Sequence, residues 1–213
     1  MSVERKMGRG FAFDKRDYNF QLTQEKMGAV DKTFQYWHVG AVTDQGSESS
    51  CVGHAWANWL KASPVNVDPM RPSGLYELAK FVDEWQGEDY DGTSVRAGAK
   101  ILKMTGHIQS YSWAMDVDTV VQVLLQKGPV VVGTKWLSNM FNVDKRGFVD
   151  VSGADIGGHA YLLYGVNVEK GFVSIRNSWG DWGKKGNAKM WIDDFACLLD
   201  DYGECCDAVA LRR

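Results

Sequence analysis

The chain is predicted to be α+β, with helices gathered in its first half and strands in its second. Two observations carry that class. Before residue 127 apolar residues recur at spacings of 3 and 4, the period of a half-buried helix. After Gly128-Pro129 they come instead in short runs rich in Val, Ile and Tyr, bounded by Gly, as strands do. The 213 residues, 45% apolar and 24% charged, suit one soluble globular domain of two small lobes sharing a tight interface.

Residues 1–40 read as an extended arm packing across the body through Phe11, Phe13, Tyr18, Phe20, Phe34, Tyr36 and Trp37. A helical lobe follows over about 41–127. Val52, Ala55, Trp56, Trp59 and Leu60 mark a buried helix face from about 50 to 62. Ser49 or Ser50 can cap it, and Pro64 follows its end. Pro64, Pro69 and Pro72 mark a loop. Leu75, Leu78, Ala79, Val82 and Trp85 then give a second helix. The acidic stretch 87–92 reads as a flexible loop. Thr93 or Ser94 caps a third helix through Met104, closed by Gly106. His107 to Trp113 reads as a short strand, and Asp116 or Asp118 opens a helix that ends at Lys127.

The β lobe covers about 128–213. Its strands are predicted at 130–136, 159–168, 171–177 and 187–192, with a Gly-rich loop over 177–186. A turn centred near residue 168 or 169 would pair positions summing to about 336–339. That sum brings His159 opposite Asn177 or within a few residues of it.

Charge and composition exclude several functions. The net charge is −3 with no long basic run, so neither nucleic acid nor a membrane surface is an expected partner. The first thirty residues hold no apolar signal core, and no run approaches the length of a membrane span. The chain is therefore expected to be cytoplasmic at synthesis, with later release or association with a particle left open. The four cysteines, Cys51, Cys197, Cys205 and Cys206, form no CxxC pair and suggest no zinc site. They are expected to be reduced.

Cys51 falls in the first turn of its helix. Unpaired N–H groups and the helix dipole there favour a thiolate. A lone helical Cys is more often a small core residue. Its weight comes from its partners, because a cysteine nucleophile needs a base and a group to orient that base. Of His38, His54, His107 and His159, the last follows Gly157-Gly158 and opens an apolar run. Gly158 would let a substrate backbone approach closely. Asn177 can accept the imidazole N–H without burying a second charge. His54 lies on the same helix as Cys51 but has no evident orienting partner, so packing or lining the cleft is its expected role. Gln45, in the loop before Cys51, can aim its amide at an oxyanion together with the Cys51 backbone N–H.

Asp44-Gln45-Gly46-Ser47-Glu48-Ser49-Ser50-Cys51, then Gly157-Gly158-His159-Ala160, then Arg176-Asn177-Ser178-Trp179-Gly180-Asp181-Trp182-Gly183 resemble the papain-like (C1) cysteine peptidases, over about residues 42–192. The resemblance implies a two-lobed fold with the cleft between the lobes. It implies Cys51 as nucleophile, His159 as base and acid, Asn177 as its orienter and Gln45 as oxyanion donor. Trp179 would shield the His159–Asn177 bond from water, and Gly92-Thr93 would bind substrate backbone. A protein or peptide is the implied substrate, with no metal or organic cofactor.

The sequence also departs from that pattern. Glu48 stands where the family often has a disulfide cysteine, and Val52 and His54 replace common aromatics. The intervals from Cys51 to His159 and Asn177 are shorter than the roughly 130–150 residues of the secreted enzymes. The stretch before Gln45 is too short for the long inhibitory pro-segment of lysosomal members. The resemblance is therefore to a compact, disulfide-free microbial or viral type, its control left to a separate protein inhibitor or an assembly partner. Two other functions use the same fold, an amidase or transpeptidase acting on peptide cross-links and a catalytically silent binding module. The presence of Gln45, Cys51, His159 and Asn177 together argues against the last.

Overall fold

The computed structural model describes residues 5–12, 14–23, 27–87 and 89–211; Phe13 of the arm and Glu88 of the acidic loop lie outside them. Helix α1 spans Cys51–Lys61 and is buried from Cys51 to Leu60 on every side. One buried face was the expectation from the spacing. The second face is covered because α2 (Pro72–Lys80) lies so close that a Cβ on Gly53 would meet Pro72 O at 2.1 Å. The indoles of α1 spend their N–H groups on backbone carbonyls, Trp56 on Val95 O and Trp59 on Pro129 O, each at 3.0 Å. Ser50 is the N-cap residue, but its hydroxyl makes no capping bond.

Helix α2 stops at Lys80, short of the predicted Val82 and Trp85. The next residues bond forward instead: Asp83 accepts from Thr93 Oγ1 and Glu84 from Ser94 Oγ, each at 2.7 Å. Those bonds turn the chain toward the start of α3 (Val95–Met104), whose N-cap Ser94 accepts from the Ala97 N–H. Helix α4 (Val117–Gln126) is capped by Asp116 in the same way, through the Thr119 N–H.

The strands form one sheet, in the order β1 (Gln21–Leu22), β3 (Ile108–Ala114), β8 (Glu204–Ala210), β4 (Val130–Leu137), β5 (Asp155–Asn167), β6 (Phe172–Arg176) and β7 (Asn187–Trp191), with β2 (Phe34–Tyr36) on β5. The β5–β6 hairpin pairs Leu162 with Arg176 and Val166 with Val173, sums of 338 and 339 that fall inside the range expected from the turn. A short helical turn, α5 (Trp182–Lys185), lies in the Gly-rich loop. Helix α6 (Ile192–Asp200) and strand β8 were not among the elements predicted. The strand β8 inserts between β3 and β4, far from it in sequence, and no local pattern announces such a pairing.

The period-two alternation of the central strands divides the core. Val131, Ala160, Leu162 and Cys206 pack with α1–α3, whereas Val132, Tyr161, Leu163 and Cys205 pack with α4 and α6 on the other face. Neighbouring Cys205 and Cys206 thus point to opposite faces as free thiols, and Cys51 and Cys197 are free as well.

Of the arm's aromatics, Tyr18, Phe20, Phe34 and Tyr36 are exposed, yet Phe20 stacks on Tyr111 and Phe11 meets Tyr202 edge-on. Polar ties hold it as well. Buried Arg96 of α3 pairs with Asp17, β2 joins the edge of β5, and Trp37 donates to Leu124 O at 2.7 Å. Among the described residues no helix is long and apolar enough to cross a membrane.

Candidate active site

Two elements from opposite sides of the core meet at Cys51. It opens α1, and β5 passes beside it, so that the Ala160 N–H lies 3.4 Å from Cys51 Sγ. His159 is the residue before Ala160. Its Nε2 lies 2.8 Å from Asn177 Oδ1, just past the end of β6. That oxygen also accepts the Ser178 N–H at 2.7 Å. An amide oxygen only accepts, so Nε2 carries the proton and Nδ1 keeps its lone pair. Nδ1 is buried with no hydrogen-bond partner among the described residues. Cys51, His159 and Asn177 are all fully buried.

The imidazole sits in an aromatic enclosure. Trp179 lies 4.5 Å from it between centroids, and Trp136 lies 4.8 Å from it edge-on. These rings lie against His159, which like Asn177 is 0% exposed. Trp179 was singled out in the sequence; Trp136 was not, because it ends a buried strand like any other core aromatic.

Gln45 is buried. Its Oε1 accepts from Ser178 Oγ at 2.7 Å and from Trp179 Nε1 at 3.1 Å. Those two bonds fix which way its amide N–H₂ points, and it donates to Glu48 O at 2.7 Å and Lys6 O at 3.1 Å. Ser178 therefore positions Gln45 through its hydroxyl and bonds Asn177 through its backbone. Its place between Asn177 and Trp179 is the only sequence signal of that role.

The N-terminal arm occupies the cleft. Gly8 and Arg9 both donate to Gly158 O, at 3.2 and 2.9 Å. On the facing wall Thr93 N–H donates to Gly8 O at 3.0 Å, and Gly10 N–H donates to Thr93 O at 2.9 Å. Gly158, Gly92 and Thr93 thus come together around the arm. The fit depends on bare backbone: a Cβ on Gly158 would stand 2.1 Å from Arg9 O, and one on Gly92 would stand 2.8 Å from Gly8 O.

This cover reverses one expectation. The helix start was expected to lower the Cys51 pKa. Burial instead pushes the thiol up to about 11, although the N–H groups of Ala160, Gly8 and Val52 pull it back. Burial likewise holds His159 down at about 4, against the bond from Asn177. The pair is therefore a neutral thiol and a neutral imidazole while the arm is seated. His54 is buried and also held at about 4 by desolvation, with Nδ1 unpartnered. Among the described residues no group orients it as Asn177 orients His159. Among the described residues no three His, Cys, Asp or Glu come together as a metal ion would need.

The sequence matches the family model described as papain family cysteine protease over residues 26–204. No curated protein matches it. Among solved structures it is similar to xylellain, a cysteine protease from Xylella fastidiosa, at 19% identity and a TM-score of 0.74, covering 100% of this chain and 99% of that one. It is also similar to digestive procathepsin L 3 of the Tenebrio molitor larval midgut, at 14% identity and 0.67, covering 90% and 74% of the two chains. Bromelain from Ananas comosus, solved with the E64 inhibitor, gives 13% identity and 0.62, covering 84% and 99%.

Proposed function

Because the chain belongs to the papain family of cysteine proteases, we propose that Cys51, His159 and Asn177 hydrolyse peptide bonds as a catalytic triad. The single observation that carries the reading is the bond from His159 Nε2 to Asn177 Oδ1. It leaves the unpartnered Nδ1 as the one ring atom able to take a proton, in the residue adjacent to the amide that touches the Cys51 sulfur.

In this mechanism a substrate first displaces residues 6–10 of the arm, which frees the Gln45 N–H held by Lys6 O. His159 Nδ1 takes the thiol proton, and the Cys51 thiolate attacks the carbonyl carbon. Charge builds on the carbonyl oxygen, where the Gln45 amide and the Cys51 backbone N–H stabilise it. The imidazolium then protonates the leaving amine, and an acyl group remains on sulfur. Water, deprotonated by His159, attacks that thioester and frees the acid and the thiol. Asn177 holds the imidazole in one tautomer throughout, and Trp179 and Trp136 keep its bond dry.

The testing experiment treats the full chain with a peptidyl epoxide directed at thiols and assays peptide hydrolysis in parallel. Cys51 should be the labelled residue, and Cys51→Ala should abolish both label and hydrolysis. Hydrolysis that survives Cys51→Ala would refute the reading.

A further inference from the structure

One groove of the sheet lobe lies outside the catalytic constellation. Val173 and Ile175 of β6 face the core, so Phe172 and Ser174 face outward, with Lys189 of β7 paired to Ser174. Together with the segment 141–147, between β4 and β5, they line a groove of about 850 Å³. That size lies within the roughly 300–1,000 Å³ of sites that enclose a ligand.

The charge of the groove is opposite to that of the chain. The whole sequence has 24 cationic side chains against 27 acidic ones. The groove is lined by Lys145, Arg146, Lys170, Lys184 and Lys189, and by a single carboxylate, Asp144. That carboxylate is already engaged within its own loop. One oxygen accepts the N–H groups of Arg146 and Phe148, each at 2.8 Å, and the other accepts Arg146 Nε at 2.9 Å. Among the described residues Lys145, Lys170 and Lys184 make no ion pair. Lys189 is held by rings: its Nζ lies 5.3 Å from the centroid of Phe148 and 5.1 Å from that of Phe172. The Arg146 guanidinium lies over Phe148 at 5.5 Å. Such contacts fix the positions of the charges without neutralising them.

The place of the groove says which anion it suits. Phe141 lines it and also lines the hollow beside Arg5, Lys6 and Met7 of the arm. The same ring stacks on Trp179 at 5.1 Å, and Trp179 lies 4.5 Å from His159. On the peptidase reading the imidazolium gives its proton to the leaving amine. The leaving half of a substrate therefore passes His159 and these rings on its way to the groove. Two or three extended residues, at about 3.3 Å each, cover those two steps. We propose that the groove docks an acidic stretch of the protein substrate, starting about three residues beyond the cleaved bond. The inference rests on the peptidase reading. The chain as a whole is negative and repels such a stretch, so the attraction is local to these five cations.

The test compares the full chain with its Lys145→Ala/Lys170→Ala/Lys184→Ala variant, three changes at exposed side chains outside the catalytic set. A random-sequence peptide pool is digested, and the cleaved bonds are read by mass spectrometry. Asp and Glu should be enriched from the third position after the cleaved bond onward. Two peptides built on the best-cut sequence, with Glu or Ser at those positions, should differ by about 10-fold in kcat/KM, because exposed ion pairs are worth up to about fivefold each. The triple variant should bring that ratio below about twofold while cutting the Ser peptide at the wild-type rate. Salt at about 0.5 M should also shrink the ratio, by screening. Binding of a fluorescein-labelled Glu-rich decapeptide to the full-length Cys51→Ala chain, by anisotropy, reads the groove without turnover and should need the same lysines. A Glu preference absent from both assays, or unchanged in the triple variant, overturns the proposal. Heparin bound through these lysines with the Glu-rich peptide unbound overturns it in favour of an anionic polysaccharide. Lysine-dependent binding of the Glu-rich peptide without hydrolysis by the Cys51 chain would overturn the peptidase reading and uphold the groove as an acidic-peptide site.

Discussion

Replacing Gly8 with alanine should open the cleft. A Cβ on Gly8 would stand 1.9 Å from Ser49 O, 2.4 Å from Ser49 C and 2.9 Å from Ser49 Cα. All three are backbone atoms, just before a helix buried from Cys51 to Leu60, so they cannot give way. The arm must lift instead. Lifting breaks the bonds of Gly8 and Arg9 to Gly158 O, of Thr93 to Gly8 O and of Gly10 to Thr93 O. At a net value of about 0.5–1.5 kcal/mol each, these four are together worth about 2–6 kcal/mol. Every 1.4 kcal/mol is tenfold, so the open population should rise by roughly 30-fold at the least. The assay is the alkylation rate of each cysteine at neutral pH, resolved by mass spectrometry of peptides. Cys51 should react at least about 30-fold faster in Gly8→Ala, while exposed Cys197 serves as the internal reference. An unchanged Cys51 rate in a folded Gly8→Ala chain would refute the argument that the arm seals the sulfur.

Acid should loosen the same seal. His159 and His54 are held near 4 by burial, so between pH 6.5 and 4 an opened cleft binds protons that the closed one refuses. Closure is therefore weakened as pH falls, by roughly tenfold per pH unit for one histidine that becomes hydrated. Hydrogen-exchange protection of the Arg9 and Gly10 amides, corrected for intrinsic rates, should drop by about that factor between pH 6 and 5; constant protection would count against it. Gln45→Ala should lower turnover by about 100- to 1,000-fold with little change in KM, and near-normal steady-state rates would remove Gln45 from the catalytic set. His159→Ala should cost several orders of magnitude in kcat and His54→Ala far less, and equal losses in two folded variants would contradict the assignment of the base.

What was legible in the sequence was local. Apolar spacing located α1, because a helix that buries Trp56, Trp59 and Leu60 must repeat them near every 3.6 residues. The turn at 168–170 set the β5–β6 register, and with it the approach of His159 to Asn177, because hairpin pairing follows from loop position alone. Strand β8 escaped because its partners lie on distant β3 and β4. Glu204 was hidden with it, since only that insertion brings the carboxylate into line with Gly133 and Ala160. Trp136 and Ser178 carry no local sign of the contacts they make around His159 and Gln45.

The sign of the Cys51 shift was the expectation that failed, and the reason bears on control. A helix start and a nearby imidazole favour thiolate only if the charge can be solvated or paired. Under the arm neither condition holds, so desolvation wins and the sulfur stays protonated. The arm bonds the groups that the proposed mechanism assigns to a substrate: the carbonyl of Gly158, both backbone groups of Thr93 and the amide of Gln45. On the proposed mechanism, occupying these groups makes residues 6–10 a competitor of the substrate. Any peptide that displaces them must match four backbone bonds and the buried Arg9–Glu204 pair together. Competition with the arm should therefore set a threshold that a substrate has to cross.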